Sequence, residues 1–283
     1  MTRIETIFRD ARQQGRRLIM PFVCAGHTKP DTLVHFLPAL QHAGAGVVEI
    51  GLPFSDPIAD GPVIAAAMHD ALERGTTPEQ VFNQVAQVRA SLDIGLVAMV
   101  SVSIVYRAGG PDGFAAQAAQ AGFDGVIYPD APFEEADDLL AAAREAGMTA
   151  SLLISPTTPA ARAEAIAKAC SGFVYLLART GITGERSDAP DVAGRVAALR
   201  KATDTPIACG FGISTPEHVR AVVQHADAAI VGSALVKRMS QAEADGQDAV
   251  EAAVAFVREL VQAAAEVSKP EPDTGNEPVT ESD

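Results

Sequence analysis

The sequence predicts an α/β fold, a (β/α)8 barrel. Three observations predict it: eight short apolar runs, alanine-rich helical stretches between them, and a length of 283 residues. The runs are Leu18–Cys24, Val47–Gly51, Ile94–Ser103, Gly125–Tyr128, Ala150–Ile154, Phe173–Leu177, Pro206–Cys209 and Ala228–Val231. Each is too continuously apolar for a strand with one wet face. Strands read this way when they are parallel and covered by helices on both sides.

The elements follow in order. Ile4, Ile7, Phe8 and Ala11 have helical spacing ahead of the first run, which predicts an extra N-terminal helix able to plug the barrel's bottom. Helical spacing recurs over Thr32–Ala43, Pro78–Ser91, Gly113–Ala121, Glu134–Ala146, Ala160–Ala169 and Val192–Ala202. Pro111-Asp112-Gly113 and Ser214-Thr215-Pro216-Glu217 carry helix-start signals, and Gly44, Gly122 and Gly147 carry stop signals. An open doubly wound sheet is the competing architecture. It calls for a glycine-rich G-x-G-x-x-G turn after its first strand, and here the chain reads Ala25-Gly26-His27-Thr28. Eight β/α units in this length fit the TIM barrel. We therefore expect one catalytic domain over residues 1–268. Residues 269–283, Pro-rich, acidic and without apolar period, are expected to form a disordered tail.

Composition bounds the function. Lysine plus arginine total 22 against 36 acidic residues, a net charge of −14. That balance counts against nucleic-acid binding, whose phosphate contacts need clustered cations, and against docking on an anionic membrane. The tail's one lysine and five acids contribute −4 of it, leaving an ordinary acidic surface elsewhere. Cys24, Cys170 and Cys209 form no disulfide framework and share no metal-ligand spacing. Reduced thiols, no apolar leader and no membrane-length apolar segment lead us to expect a cytoplasmic protein.

In such a barrel the chemistry sits at the C-terminal ends of the strands. Glu49 stands there within an otherwise apolar strand. It either points into the barrel with a raised pKa, fit to give and take a proton, or bonds a neighbouring loop. The next loop, Leu52 to Pro62, is long and proline-stiffened. Asp56 and Asp60 within it are acid/base candidates or plain turn and helix-capping residues. Tyr175, at the end of the sixth run, lines a site or fills the core. Three small-residue loops follow consecutive strands: Arg179-Thr-Gly181-Ile-Thr-Gly184, Gly210-Phe-Gly212-Ile-Ser214 and Gly232-Ser233-Ala234. Their backbone N–H groups suit a phosphate, though turns alone also require glycine. No lysine follows a strand where a Schiff base would form, and no cluster of ligands points to a metal.

These residues also carry a resemblance. The fifteen-residue block from Val48 through Glu49-Ile-Gly-Leu-Pro-Phe-Ser-Asp-Pro-Ile-Ala-Asp60 to Pro62 resembles the signature of tryptophan synthase alpha subunits. So do Tyr175 to Gly184, Gly210 to Ser214, Val231 to Ala234, Pro21-Phe22-Val23 and Pro129-Asp130-Ala-Pro132. The resemblance runs from about residue 4 to about residue 266.

It implies retro-aldol cleavage of indole-3-glycerol phosphate to indole and glyceraldehyde 3-phosphate. Glu49 would protonate the indole C3 and help deprotonate the glycerol hydroxyl, and Asp60 would accept the indole N–H. Phe22 and Ile154 would flank the ring and Tyr175 would help place Glu49. Gly184, Gly212, Gly232 and Ser233 would hold the phosphate. Thr183, in a lid over residues 180–191, would close on the substrate and contact Asp60. No cofactor is implied in this chain. Pyridoxal phosphate would reside in a beta subunit that takes the indole through a channel, in an alpha2beta2 heterotetramer. The Pro53–Asp60 loop and the Asp130–Pro132 turn would face it. The sequence departs from the pattern at Ser101 and Ser103, where the family usually has an aromatic residue and an asparagine. Another phosphate-ester isomerase or synthase, or a poorly catalytic binding partner of the beta subunit, would share many of these features.

Overall fold

The computed structural model describes residues 1–58, 60–179 and 190–267. The expected tail lies outside the described residues, as does most of the expected lid, Thr183 and Gly184 included.

Nine parallel strand segments make one sheet: β1 (Leu18–Cys24), β2 (Val47–Gly51), β3 (Gly95–Met99), β4 (Gly125–Ile127), β5 (Thr149–Ser151), β6 (Leu153–Ile154), β7 (Val174–Leu177), β8 (Ile207–Gly210) and β9 (Ala228–Val231). Their order is β5-β4-β3-β2-β1-β9-β8-β7-β6. The two ends of that order are consecutive in the chain, with only Leu152 between them. The sheet therefore curls round on itself as an eight-stranded barrel whose fifth strand is in two pieces. The split departs from the single Ala150–Ile154 run expected. Side chains replace the ladder there: the Ala150 N–H donates to Ser171 Oγ (2.9 Å) and the Leu152 N–H to Cys170 Sγ (3.3 Å).

The helices are α1 (Arg3–Gln13), α2 (Leu33–His42), α3 (Pro62–Glu73), α4 (Pro78–Val88), α5 (Val102–Arg107), α6 (Gly110–Ala121), α7 (Asp137–Glu145), α8 (Ala160–Ala169), α9 (Ala193–Arg200), α10 (Pro216–Val223), α11 (Ser233–Ala244) and α12 (Ala249–Ala265). The third run is shorter than expected. It leaves the sheet after Met99, because Ser101 caps α5 and accepts from the Ser103 N–H. The start signal at Pro111 to Gly113 lies inside α6, which begins at Gly110 after a left-handed Gly109. Phe133–Glu135 is a 3-10 turn ahead of α7. Thr215 caps α10 as expected, its hydroxyl accepting from the His218 N–H.

Strand alternation divides the core into two shells. Val48, Ile50, Leu96, Ala98, Val126 and Leu176 face the helices. Met20, Phe22, Val47, Val97, Ile127, Phe173 and Tyr175 fill the barrel. Ile4, Phe8 and Ala11 of α1 join that inner group. Gly95 and Gly125 open strands β3 and β4, and a Cβ there would stand 3.1 and 3.0 Å from Ile4. Those bare strand starts let α1 seat against the bottom of the barrel. Phe8 and Phe173 meet with ring centroids 5.9 Å apart. Arg12 pins the helix by a bidentate pair with the buried Asp227, at 2.8 and 2.9 Å.

Because Phe8 is 1% exposed, Phe8→Ala should cost about 3–5 kcal/mol of stability. A urea titration that moved the midpoint by the equivalent of less than about 1 kcal/mol would contradict the plug.

Candidate active site

Above the plug, the C-terminal ends of the strands surround a cavity. Its lining includes Phe22, Asp60, Tyr175, Gly212, Gly232 and Ser233, six of the residues singled out in the sequence. Met99, Ile64, Phe211 and Ile230 complete most of the wall.

Glu49 sits in the middle of β2, in register with Phe22 on β1 and Val97 on β3, both of which face the barrel interior. It is fully buried, and neither carboxyl oxygen has a hydrogen-bond partner among the described residues. Burial therefore pushes its pKa well above the ordinary carboxylate value. Among the described residues no neighbouring loop ties this glutamate. A carboxyl held this way is protonated where ordinary glutamates are charged, the state a general acid requires.

Asp60 is half-buried at the cavity edge. Burial first, and the nearby charge of Asp130 second, raise its pKa to about 6. The cap of α3 is Gly61, with Pro62 in the first helical position, so Asp60 does not cap that helix. Asp56 is exposed and accepts from Ser55 Oγ at 2.6 Å, a local turn arrangement. Asp130 is held by Ser101 Oγ, which donates at 2.6 Å, and by the Val102 N–H at 3.0 Å.

Tyr175 faces inward on β7. Burial, then the charges of Glu49 and Asp60, push its phenol well above the ordinary value. A Cβ at Gly210 would lie 2.6 Å from the Tyr175 hydroxyl and one at Gly51 2.5 Å from the Phe22 ring. Glycine at those two strand ends thus makes room for the two aromatic walls.

The phosphate-type elements face the same cavity. Gly212 has φ +77° and Phe211, beside it, φ +73°, a left-handed conformation that is strained for an aromatic residue. Phe211 packs edge-on to Tyr175 with centroids 6.3 Å apart. Gly232 caps α11, so the first N–H groups of that helix, at Ser233 and Ala234, open beside the cavity.

Ile154 does not join this group. On β6 it pairs with Leu176, and both pack toward the helices. Leu153 pairs with Tyr175 and packs with the inner shell. The expected ring contact at Ile154 is one residue out of phase. The split strand hid the parity, although counting across from Tyr175 recovers it. Phe211 and Met99 were also missed. Met99 follows from strand alternation through Val97, whereas Phe211 sits in a loop with no period to read.

Among the described residues no His, Cys, Asp and Glu group could hold a metal ion, and no helix is long and apolar enough to cross a membrane.

A parallel barrel with a buried carboxyl that has no partner among the described residues, a second carboxyl at the cavity edge and helix N–H groups beside the same cavity is suited to an enzyme that moves protons on an anionic substrate. The family model for the tryptophan synthase alpha chain matches residues 8–265. A tryptophan synthase alpha chain from Synechococcus sp. (strain CC9902) is 44% identical over 259 residues, 91% of this chain and 95% of that relative. One from Laribacter hongkongensis (strain HLHK9) is 39% identical over 93% of this chain and the whole of that relative. The crystal structure of tryptophan synthase subunit alpha from Legionella pneumophila str. Paris superposes with a TM-score of 0.86 at 32% identity, covering 94% of this chain and 99% of that one. This chain belongs to the tryptophan synthase alpha chain family. It is a lyase of tryptophan biosynthesis that cleaves indole-3-glycerol phosphate.

The buried carboxyl has a consequence for stability. Its folded pKa lies above the unfolded value, so its contribution is fully present below the unfolded pKa of about 4.3 and is lost as pH rises through the folded one. Glu49→Gln should therefore melt higher than the native chain at pH 8, with the gap closing toward pH 4. Melting curves showing a constant or inverted gap would refute the buried, unpaired state.

Proposed function

We propose that Glu49 and Asp60 carry the cleavage between them. Glu49, protonated at rest, gives its proton to the indole C3. Positive charge then grows on the ring, and the Asp60 carboxylate stabilises it by accepting the ring N–H. The Glu49 carboxylate so formed takes the proton of the adjacent glycerol hydroxyl. The carbon–carbon bond breaks, and indole and glyceraldehyde 3-phosphate leave with Glu49 protonated again. The complete burial of Glu49 without a partner among the described residues is the observation that supports this reading, because a carboxyl with a pKa raised by burial can give a proton and take one back.

Phe22, Tyr175 and Leu153 would bound the ring. The N–H groups at Gly212, Gly232 and Ser233 would hold the phosphate, with no lysine or arginine required. Thr183, which lies outside the described residues, would contact Asp60, and Gly184, likewise outside them, would join the phosphate donors. A beta subunit carrying pyridoxal phosphate would receive the indole, in an alpha2beta2 complex and in the cytoplasm. The Pro53–Asp60 loop and the Asp130–Pro132 turn are the segments that would meet it. Ser101, where the family usually has an aromatic residue, would leave catalysis intact because it touches neither Glu49 nor the phosphate loops. Its hydroxyl is committed to Asp130 instead.

Glu49→Gln should lower indole release by about 10²–10⁴-fold while substrate binding changes little. Near-normal turnover of that variant would refute the assignment.

The pH profile tests Asp60. With a pKa near 6, its carboxylate is lost as pH falls through that value, so kcat/KM should decline below about pH 6. Asp130→Asn removes the like charge that contributes to the raised value, so the acid limb should move to lower pH. A limb that stayed in place would separate Asp60 from the ionisation.

A further inference from the structure

Beside the substrate cavity lies a second, smaller hollow, between the loop after β2 and the ends of β3 and β4. Leu52, Phe54, Met68, Met99 and Pro129 give it mostly apolar walls. Asp60 and Met99 belong to both spaces, so the hollow opens off the cavity at the proposed ring-binding end. None of Gly212, Gly232 or Ser233 borders it.

Besides Asp60, its polar edge is Asp56, Ser101 and Asp130, all three engaged, Asp56 accepting from Ser55 Oγ. Ser101 Oγ donates to Asp130 Oδ2 and accepts from the Ser103 N–H, while Asp130 Oδ1 accepts from the Val102 N–H. The serine contributes a short side chain with its donor already used, and the space beside it has no side chain to fill it. The hollow measures about 20 Å³, room for one water-sized group by the usual criterion of about 10–15 Å³.

The position of the hollow selects one atom of the substrate. With the ring N–H on Asp60 and the phosphate at Gly212 and Gly232, the substitutable carbon of the six-membered ring that lies beside the N–H is C7, peri to it and one bond beyond C7a. We propose that this hollow is a substituent subsite, and that the enzyme cleaves indole-3-glycerol phosphate bearing one methyl- or halogen-sized group at C7. The inference rests on the proposed placement of the ring against Asp60. C4, peri to C3, lies on the opposite side, beside the phosphate-bearing arm and away from the hollow.

The test compares kcat/KM for the unsubstituted, 7-methyl and 4-methyl substrates on the native chain, with indole or methylindole release as readout. The 7-methyl substrate should stay within about fivefold of the parent, and the 4-methyl substrate should fall about 10–200-fold, the range for one misplaced methyl group. Ser101→Phe, which fills the hollow, should lower the ratio of 7-methyl to parent by about tenfold or more. Ser101→Ala, which removes the hydroxyl without filling space, should preserve that ratio. If the native chain cleaves the parent but rejects the 7-methyl substrate as strongly as the 4-methyl one, the subsite is overturned and the reading of the catalytic pair stands. If Glu49→Gln keeps full activity on the parent, that reading falls, and the subsite falls with it.

Discussion

The Glu49 carboxyl lies inside the barrel, out of solvent and with no hydrogen-bond partner among the described residues, and the surrounding structure holds it there. An unpaired buried carboxyl is costly, and the native state tolerates it only because the rest of the fold outweighs it. The plug at the bottom, the aromatic walls at Phe22 and Tyr175 and the apolar strands on either side keep water from solvating it. Under the proposed mechanism, keeping it dry would give the group its proton-transfer chemistry, so stability and activity would oppose each other at this one position.

The two carboxyl groups differ because their surroundings differ. Glu49 is sealed, and burial raises its pKa well above the ordinary value. Asp60 is only half-buried at the cavity edge, and its raised value, partly the work of Asp130, still leaves it ionised at neutral pH. Under the proposed cleavage, environment rather than residue type would divide the labour between acid and counter-charge. Anion binding by backbone N–H groups would fit the same economy of charge. A chain with a net charge of −14 would need no basic pocket where the N-terminus of α11 opens beside the cavity.

Much of the fold was legible because its signals are local. Continuous apolar runs marked six of the eight strands closely, and the cap at Thr215 and the glycine stops came from short-range backbone chemistry. Two boundaries were not legible. The third strand gives way to α5 because Asp130, from the next strand's loop, accepts bonds from Ser101 and Val102. The fifth strand breaks because Ser171 and Cys170 supply partners from the following unit. No reading of a single run contains those partners.

The sequence alone was enough to mark Glu49 as out of place, since a charge among Val47, Val48 and Ile50 has no local explanation. It also supplied the glycines that later border the cavity. Whether Glu49 had a partner among the described residues, whether Asp60 capped a helix, and whether Ile154 or Leu153 faced the barrel interior depended on strands and loops far apart in the chain. Those questions concern which face of a strand is inside and what stands opposite it. Barrel closure alone settles them, because a shift of one residue in a strand exchanges the interior for the helix layer.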